Sequence, residues 1–347
     1  MEPQMKLHAR PWLATLVALA IGVAAFGAPK AVAADNEWKM HMVLLKDREE
    51  AKWTQKYIDE VNAAVGDDLK ITLYPGGSLG IKDVDLLRIL PSGTAIQAAI
   101  IYPSYLARDI PELANTITWG AIPTREKTIE LLPTLKDVYG SIYARHGLEL
   151  VGFVNHPLTT LEIFCKEPIN SIAQLKSKKL RVNDKFAVDV WTELGVAAQI
   201  VNQYDLYLAL STGVVDCAAH PIGLAQEISL QEVAPYSAYI LPYNLPPWGI
   251  VVSKAAFDKL KPETQAKLRE IGDKITRESA EPFLRGEFNK MVADKAIAAG
   301  IKVIEPFSEA DQKAFRDVAV KHWAELNLKT SPEAKANYEK IRAFLDR

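Results

Sequence analysis

The feature that most constrains this chain is an alternation of short apolar runs with longer amphipathic ones, beginning at Asp35. "WKMHMVLL" reads as a strand, "EEAKWTQKYIDEVNAAV" as a helix, "LKITLYP" as a strand, "DVDLLRILPSG" as a helix and "TAIQAAIIY" as a strand. Such alternation predicts βαβ units and a largely parallel sheet, because parallel neighbours need a crossover long enough to hold a helix. In the first helix Trp53, Tyr57, Val61 and Val65 recur every four residues and set one apolar stripe toward the sheet.

A second series starts near Asn155. The strands "TTLEIFCK", "KKLRV", "AAQIV" and "VVDCAA" alternate with the helices "SIAQLKS", "KFAVDVWTELG" and "YDLYLALSTG", which makes a second, smaller α/β unit. The Pro-rich "YILPYNLPPWGIVVSK" suits a crossing segment between the two units. Pro242, Pro246 and Pro247 stiffen an extended chain, and "WGIVVS" resumes as a strand. The remainder reads as almost purely helical, with one short apolar insert at "IKVIEP". Two α/β lobes joined in this way carry a ligand in the cleft between them and close on it by hinge motion.

The first residues set the compartment. Lys6 and Arg10 precede an apolar run from Trp12 to about Ala28, and "AVAAD" offers small residues for cleavage near Ala33 or Ala34. This is the pattern of a secretory signal peptide rather than of an anchoring helix, which needs about 20 apolar residues. Cleavage leaves about 313 residues, a length that suits two domains. Losing Glu2, Lys6, Arg10 and Lys30 moves the formal charge from −2 to about −4 and leaves no basic cluster, so nucleic acid is not an expected partner. Cys165 and Cys217 belong to no metal or CxxC spacing; two buried thiols are the expectation, with a single disulfide as the alternative an oxidising compartment permits.

The residues bear on three chemistries. "YPGGSLG" contains Gly76-x-Ser78-x-Gly80 between a strand and a helix, the context of a hydrolase nucleophile elbow, with Asp216 and His220 as partners in the order of a triad. An elbow needs the helix to begin immediately after the serine, whereas here it starts only near Asp83, so Ser78 reads as a turn residue and no catalytic residue is assigned. The histidines stand without HxxxH, HExxH or HxH spacing, and neither GxGxxG nor a P-loop is present, so no metal and no cofactor are expected. Arg181, at the end of the strand in "LKSKKLRVND", is different. Its side chain would face a cleft, and a guanidinium is shaped to take a carboxylate through two parallel hydrogen bonds.

Four stretches, in order and in register, resemble the DctP-type solute-binding receptors of tripartite ATP-independent periplasmic (TRAP) transporters. They are "LYPGGSLG", "LLRILPSGTAIQAAIIYPSYLARDIPEL", "INSIAQLKSKKLRV" and "YDLYLALSTGVVDCAAHP", and the likeness runs from about Trp38 to Lys254 with a similar helical tail. The resemblance implies an α/β, two-lobed periplasmic binding protein fold of the class II kind with an interdomain cleft and a helical C-terminal region. The expected division is 1–34 signal peptide, 35–153 plus 247–285 first lobe, 154–246 second lobe, and 286–347 a helical region packing on both. It also implies a non-enzymatic, monomeric periplasmic receptor that hands a small organic acid to the integral membrane subunits of a TRAP permease. A receptor for an ABC permease or a sensor kinase is the alternative.

In the family the arginine matching Arg181 pairs with the ligand carboxylate. This chain departs from the pattern after "GVVD", where Gly-Gln-Glu-Asn-Pro is common and Cys217-Ala218-Ala219-His220-Pro221 stands instead. Ala219 replaces a Glu, His220 replaces an Asn that often touches ligand, and "PLTTLEIFC" lacks a second arginine found in many relatives. A less polar pocket follows, for a monocarboxylate with aromatic or hydroxylated character. The expected ligand-binding residues are Arg181, His220, Asn183, Tyr102, Tyr204 and Trp248, the aromatics supplying apolar area and stacking. A ligand-facing His220 would strengthen carboxylate binding as pH falls through its titration.

Overall fold

The computed structural model describes residues 36–244 and 246–347, apart from the side chain of Tyr204; the expected signal peptide lies outside them. Two sheets carry the strands. The first contains β1 (Asn36–His41), β2 (Leu69–Tyr74), β3 (Ala98–Ile101), β4 (Leu148–Val154) and β10 (Trp248–Ser253), in the order β2-β1-β3-β10-β4. The second contains β5 (Thr160–Cys165), β6 (Lys179–Val182), β7 (Ala197–Ile200), β8 (Cys217–His220), β9 (Tyr236–Pro242) and β11 (Lys302–Val303), in the order β11-β9-β5-β8-β6-β7. The result is a two-lobed α/β fold.

Both sheets are mixed rather than largely parallel. β1 runs parallel to β2 and β3, and β6 to β7 and β8, as βαβ units require. β10 is antiparallel to β3 and β4, and β5 is antiparallel to β8 and β9. Two of the crossings between the lobes explain this. Val154, the last residue of β4, pairs with Trp248, the first of β10, while Thr160 pairs with Pro242 at the matching ends of β5 and β9. A chain that leaves a sheet and returns beside its point of exit must run antiparallel to the strand it left. The segments that follow Val154 and Pro242 therefore lie alongside each other, tied where Tyr243 N donates to Thr159 O at 2.9 Å.

The principal helices are α1 (Glu49–Val65), α2 (Arg125–Arg145), α3 (Lys185–Glu193), α4 (Leu206–Ser211), α5 (Pro262–Arg285), α6 (Glu287–Ala298), α7 (Glu309–Thr330) and α8 (Pro332–Leu345). The apolar stripe of α1 buries Tyr57, Ile58 and Val61. α5 lies against β4 backbone to backbone: a Cβ at Gly272 would stand 2.1 Å from Val151 O, and one at Gly152 would stand 2.4 Å from Gly272 O. Glycine at both positions allows Thr276 Oγ1 to accept from Phe153 N at 2.7 Å and Asn155 to donate to Thr276 O at 2.8 Å. The start of the first crossing is thereby fixed to the first lobe. α7 touches both lobes, since Phe315 packs on Trp191 of α3 at 4.9 Å and Trp323 donates to Asn115 O at 2.9 Å.

Several sequence expectations change here. The helix read at "DVDLLRILPSG" is broken into a 3-10 turn at Asp83–Asp85, one α turn at Leu86–Ile89 and a second 3-10 turn at Leu90–Ser92. Pro91 removes a backbone donor there, and Gly93 at φ 63° ends the run. The stretch read as a crossing begins instead as β9, which ends at Pro242. Cys165 and Cys217 face each other across β5 and β8 and are joined in a disulfide, the alternative to free thiols. Among the described residues, no helix is long and apolar enough to cross a membrane.

Candidate ligand-binding cleft

Arg181 sits in β6 with only 3% of its surface exposed. Its Nε donates to Val201 O at 2.8 Å and its Nη1 to Ala219 O at 3.2 Å, so two backbone carbonyls on either side fix the plane of the guanidinium. No carboxylate of the described residues forms an ion pair with it. Burial pushes this cation down to about 10, only partly offset by Tyr243 and Asp184 nearby. A buried, oriented guanidinium held by neutral acceptors is a site prepared for an anion.

The neighbouring strand supplies His220, the last residue of β8, 3% exposed, with its Nε2 buried and without a hydrogen-bond partner among the described residues. Burial, and then the guanidiniums of Arg181 and Arg48, hold His220 well below the usual imidazole range. A neutral imidazole at this place can donate or accept. Glu162 of β5 stands opposite His220 in register, and its Oε2 accepts from Ile222 N at 2.7 Å. Burial pushes Glu162 up to about 7. That carboxyl fixes the backbone immediately after His220 and Pro221. Asp184 caps α3 by accepting from Ala187 N at 2.8 Å; burial raises its carboxyl above the usual range, partly offset by that cap, the Trp119 indole and Arg181.

Arg181 and His220, with Trp119 of the first lobe, line a cavity of about 50 Å³ between the lobes. Of the residues expected from sequence, Arg181, Asn183 and His220 line it together. Tyr102 and Trp248 do not line it. They form an aromatic wall in the first lobe, 5.0 Å apart at their centroids, which continues through His156 to Tyr243 at the cavity. Trp248 Nε1 is buried there without a hydrogen-bond partner among the described residues. Tyr204 lies in the 3-10 turn Gln203–Asp205, and its side chain is outside the described residues. Sequence reasoning missed Trp119, Gln203 and Tyr243, all of which line the cavity from irregular segments or a single turn. The available signal was an aromatic beside Gly or Pro in "TITWGAIP" and "LPYNLPPW", a pattern common in ordinary turns.

The elbow chemistry finds no support in the geometry. Ser78 lies in a turn after β2 of the first sheet, its N–H donating to Pro75 O at 3.3 Å, with Gly76, Gly77 and Gly80 at positive φ around it. Asp216 is engaged elsewhere, accepting from Lys179 N at 2.9 Å beside β6, and His220 belongs to the second sheet. Among the described residues no cluster of His, Cys, Asp and Glu could hold a metal ion.

Comparison with known proteins agrees with this architecture. A solute-binding protein of Sulfitobacter sp. (strain NAS-14.1) is 23% identical over 271 residues, covering 75% of this chain and 78% of that protein. A Bordetella pertussis extracytoplasmic solute receptor binding pyroglutamic acid superposes with a TM-score of 0.75 at 18% identity, over 90% of this chain and 100% of that one. A Rhodobacter sphaeroides TRAP periplasmic solute-binding protein, apo and open, superposes with a TM-score of 0.76 at 18% identity, over 89% and 99%. Residues 42–330 match the family described as bacterial extracellular solute-binding protein, family 7, and the chain belongs to this DctP family, whose solved neighbours are TRAP periplasmic solute-binding proteins.

Proposed function

We propose that this protein is the extracytoplasmic receptor of a TRAP transporter, binding a small organic monocarboxylate between its lobes and delivering it to the integral membrane subunits of the permease. The observation that carries the reading is Arg181, a buried guanidinium on the cavity whose hydrogen bonds among the described residues are to two backbone carbonyls. A carboxylate bound there completes the cation's coordination and offsets its desolvation. Trp119, Tyr243, Leu161 and Leu224 line the same cavity and favour an aromatic or otherwise weakly polar body, with His220 meeting a hydroxyl or carbonyl. The Bordetella neighbour's pyroglutamic acid is a compact acid of this kind. Export through a cleaved signal peptide places the receptor in the periplasm.

Mass spectrometry of the compound released from protein purified under native conditions tests the proposal. A stoichiometric small monocarboxylic acid is expected. A ligand without any carboxylate would refute the reading.

A further inference from the structure

Arg48 immediately precedes α1 in the first lobe. Its Nε stands 3.3 Å from Oε2 of Glu50 and its Nη2 3.2 Å from Oε1, a two-point contact between one guanidinium and one carboxylate. Glu50 is fully buried at 0% exposure, so this pairing compensates its charge and sets the orientation of the arginine. The remaining terminal nitrogen, Nη1, extends 3.4 Å to Oε2 of Glu227, in the 3-10 turn Gln226–Ile228 of the second lobe. The same Glu50 carboxylate stands 3.3 Å from Nδ1 of His156 in the first crossing, and the His156 ring packs edge-on against Tyr243 of the second crossing at 5.9 Å. One buried carboxylate thus connects the start of α1, both crossings and, through Arg48, the opposite lobe.

We propose that Arg48, aimed by Glu50, is the latch of the cleft: a positioning residue that holds the lobes together through Glu227 and sets how long the cleft stays shut without touching its contents. The idea rests on the receptor reading only in that the cleft must open and close, because the ion pair forms whatever the ligand is. Rotation of the lobes about residues 155–159 and the stretch after Pro242 separates Arg48 from Glu227, while α6, β11 and α7, which also pass between the lobes, follow the motion. Glu50 and Arg48 stay together in the first lobe. Little side-chain entropy is lost on closing, since Glu50 has already fixed the guanidinium. Glu227 is 51% exposed, so the contact is screened and worth only a few-fold in the ratio of closed to open molecules. A weak latch suits a receptor that must reopen at its permease; a buried pair would resist release.

The test is an interlobe distance in the full chain with no acid added. Nitroxides at Ala64→Cys on α1 and Thr192→Cys on α3 occupy exposed sites, and the native cysteines, bonded to each other, take no label. Double electron–electron resonance should show the short-distance population reduced about two- to fivefold in Glu227→Lys and less in Glu227→Gln, both changes lying at an exposed position that leaves the core intact. About 0.5 M salt should move the unaltered protein toward the Gln variant, a check that needs no mutation at the pair. Equal distributions for Glu227 and Glu227→Lys, or a short population indifferent to salt, would overturn the latch. Neither outcome bears on the identity of the bound acid, which the released ligand reports separately.

Discussion

The first lobe stands behind the cleft with rings, and the second meets it with charge and backbone. Tyr102, Tyr105 and Trp248 pack at centroid distances of 5.0 to 6.0 Å in an aromatic wall that reaches the cavity only through Tyr243. Across from them, β6 and β8 carry Arg181 and His220, each 3% exposed, on strands that hydrogen bonds and a disulfide hold in place. The difference teaches where precision is needed. A carboxylate demands donors fixed in plane and distance, so its partner stands in the middle of a sheet. Apolar contact tolerates displacement, so it is left to the lobe that closes over the ligand. On this account the acid docks on the second lobe first, and the aromatic wall arrives with closure.

The lobes also differ in what locks them. The second is tied by Cys165–Cys217, which closes a separation of 52 residues, and the first by the glycine contact between α5 and β4. Replacing both cysteines by alanine should therefore lower stability by about 4 kcal/mol in the chain-entropy limit, measured by calorimetric unfolding. An unchanged melting temperature would deny the disulfide its structural role. The matching change in the first lobe is Gly272→Ala, which forces a methyl to within 2.1 Å of the Val151 carbonyl. It should cost about 3 kcal/mol and weaken the start of the first crossing. Full stability in denaturant titration would show that α5 can shift away from β4 at no cost.

The third effect belongs to the second lobe and depends on pH. Glu162, 6% exposed, has its carboxyl raised from 4.5 to about 7 by burial, so the folded protein keeps a proton that the unfolded chain gives up. Stability from this group is fully present below about pH 4.5 and is lost as pH rises through 7. Glu162→Gln, which keeps an acceptor for Ile222 N–H, should accordingly stabilise the protein by roughly 2–3 kcal/mol at pH 8 and by little at pH 4.5. The same gain at both pH values would mean that the carboxyl does not titrate as a buried acid.

The smallest effect is at His220. Burial and two guanidiniums hold its imidazole neutral, so the strengthening of binding at lower pH expected of an unperturbed histidine should shift below the physiological range. Affinity for the released acid should change less than about twofold between pH 6.5 and 8.5. A steep rise toward pH 6.5 that disappears in His220→Asn would show that a bound carboxylate lifts the imidazole back into range.

What could be read from sequence divides along the same physical line. α1 spans the stretch quoted for its four-residue apolar repeat, and β2, β6, β7 and β10 lie within their quoted runs, because periodicity reports a buried face directly. α2 is not legible in the sequence: Pro133 lies inside it and reads as a breaker, and its start rests on Thr124 accepting from Lys127 N at 3.2 Å, a local bond no hydrophobic pattern records. β9 was hidden by the prolines that follow it. In the site, Arg181 and Asn183 were legible because a strand end in a recognisable motif carries them. Trp119 and Tyr243 reach the cavity from irregular chain, and Arg48 and Glu162 act through tertiary contacts separated by 179 and 60 residues, which no local spacing reveals.

The central claim is that the second lobe offers one rigid guanidinium, matched in plane to a ligand carboxylate, and Arg181→Lys tests it most directly. Lysine keeps the positive charge but lacks the planar fork, so only the geometric part of the claim is removed. Calorimetric titration with the acid identified from the purified protein should give an affinity lower by about tenfold or more in the lysine variant, the loss of one charge-assisted hydrogen bond. Equal affinity in the two proteins would contradict the account, because a site satisfied by charge alone would have no need of the two carbonyls, Val201 O and Ala219 O, that hold Arg181 in place.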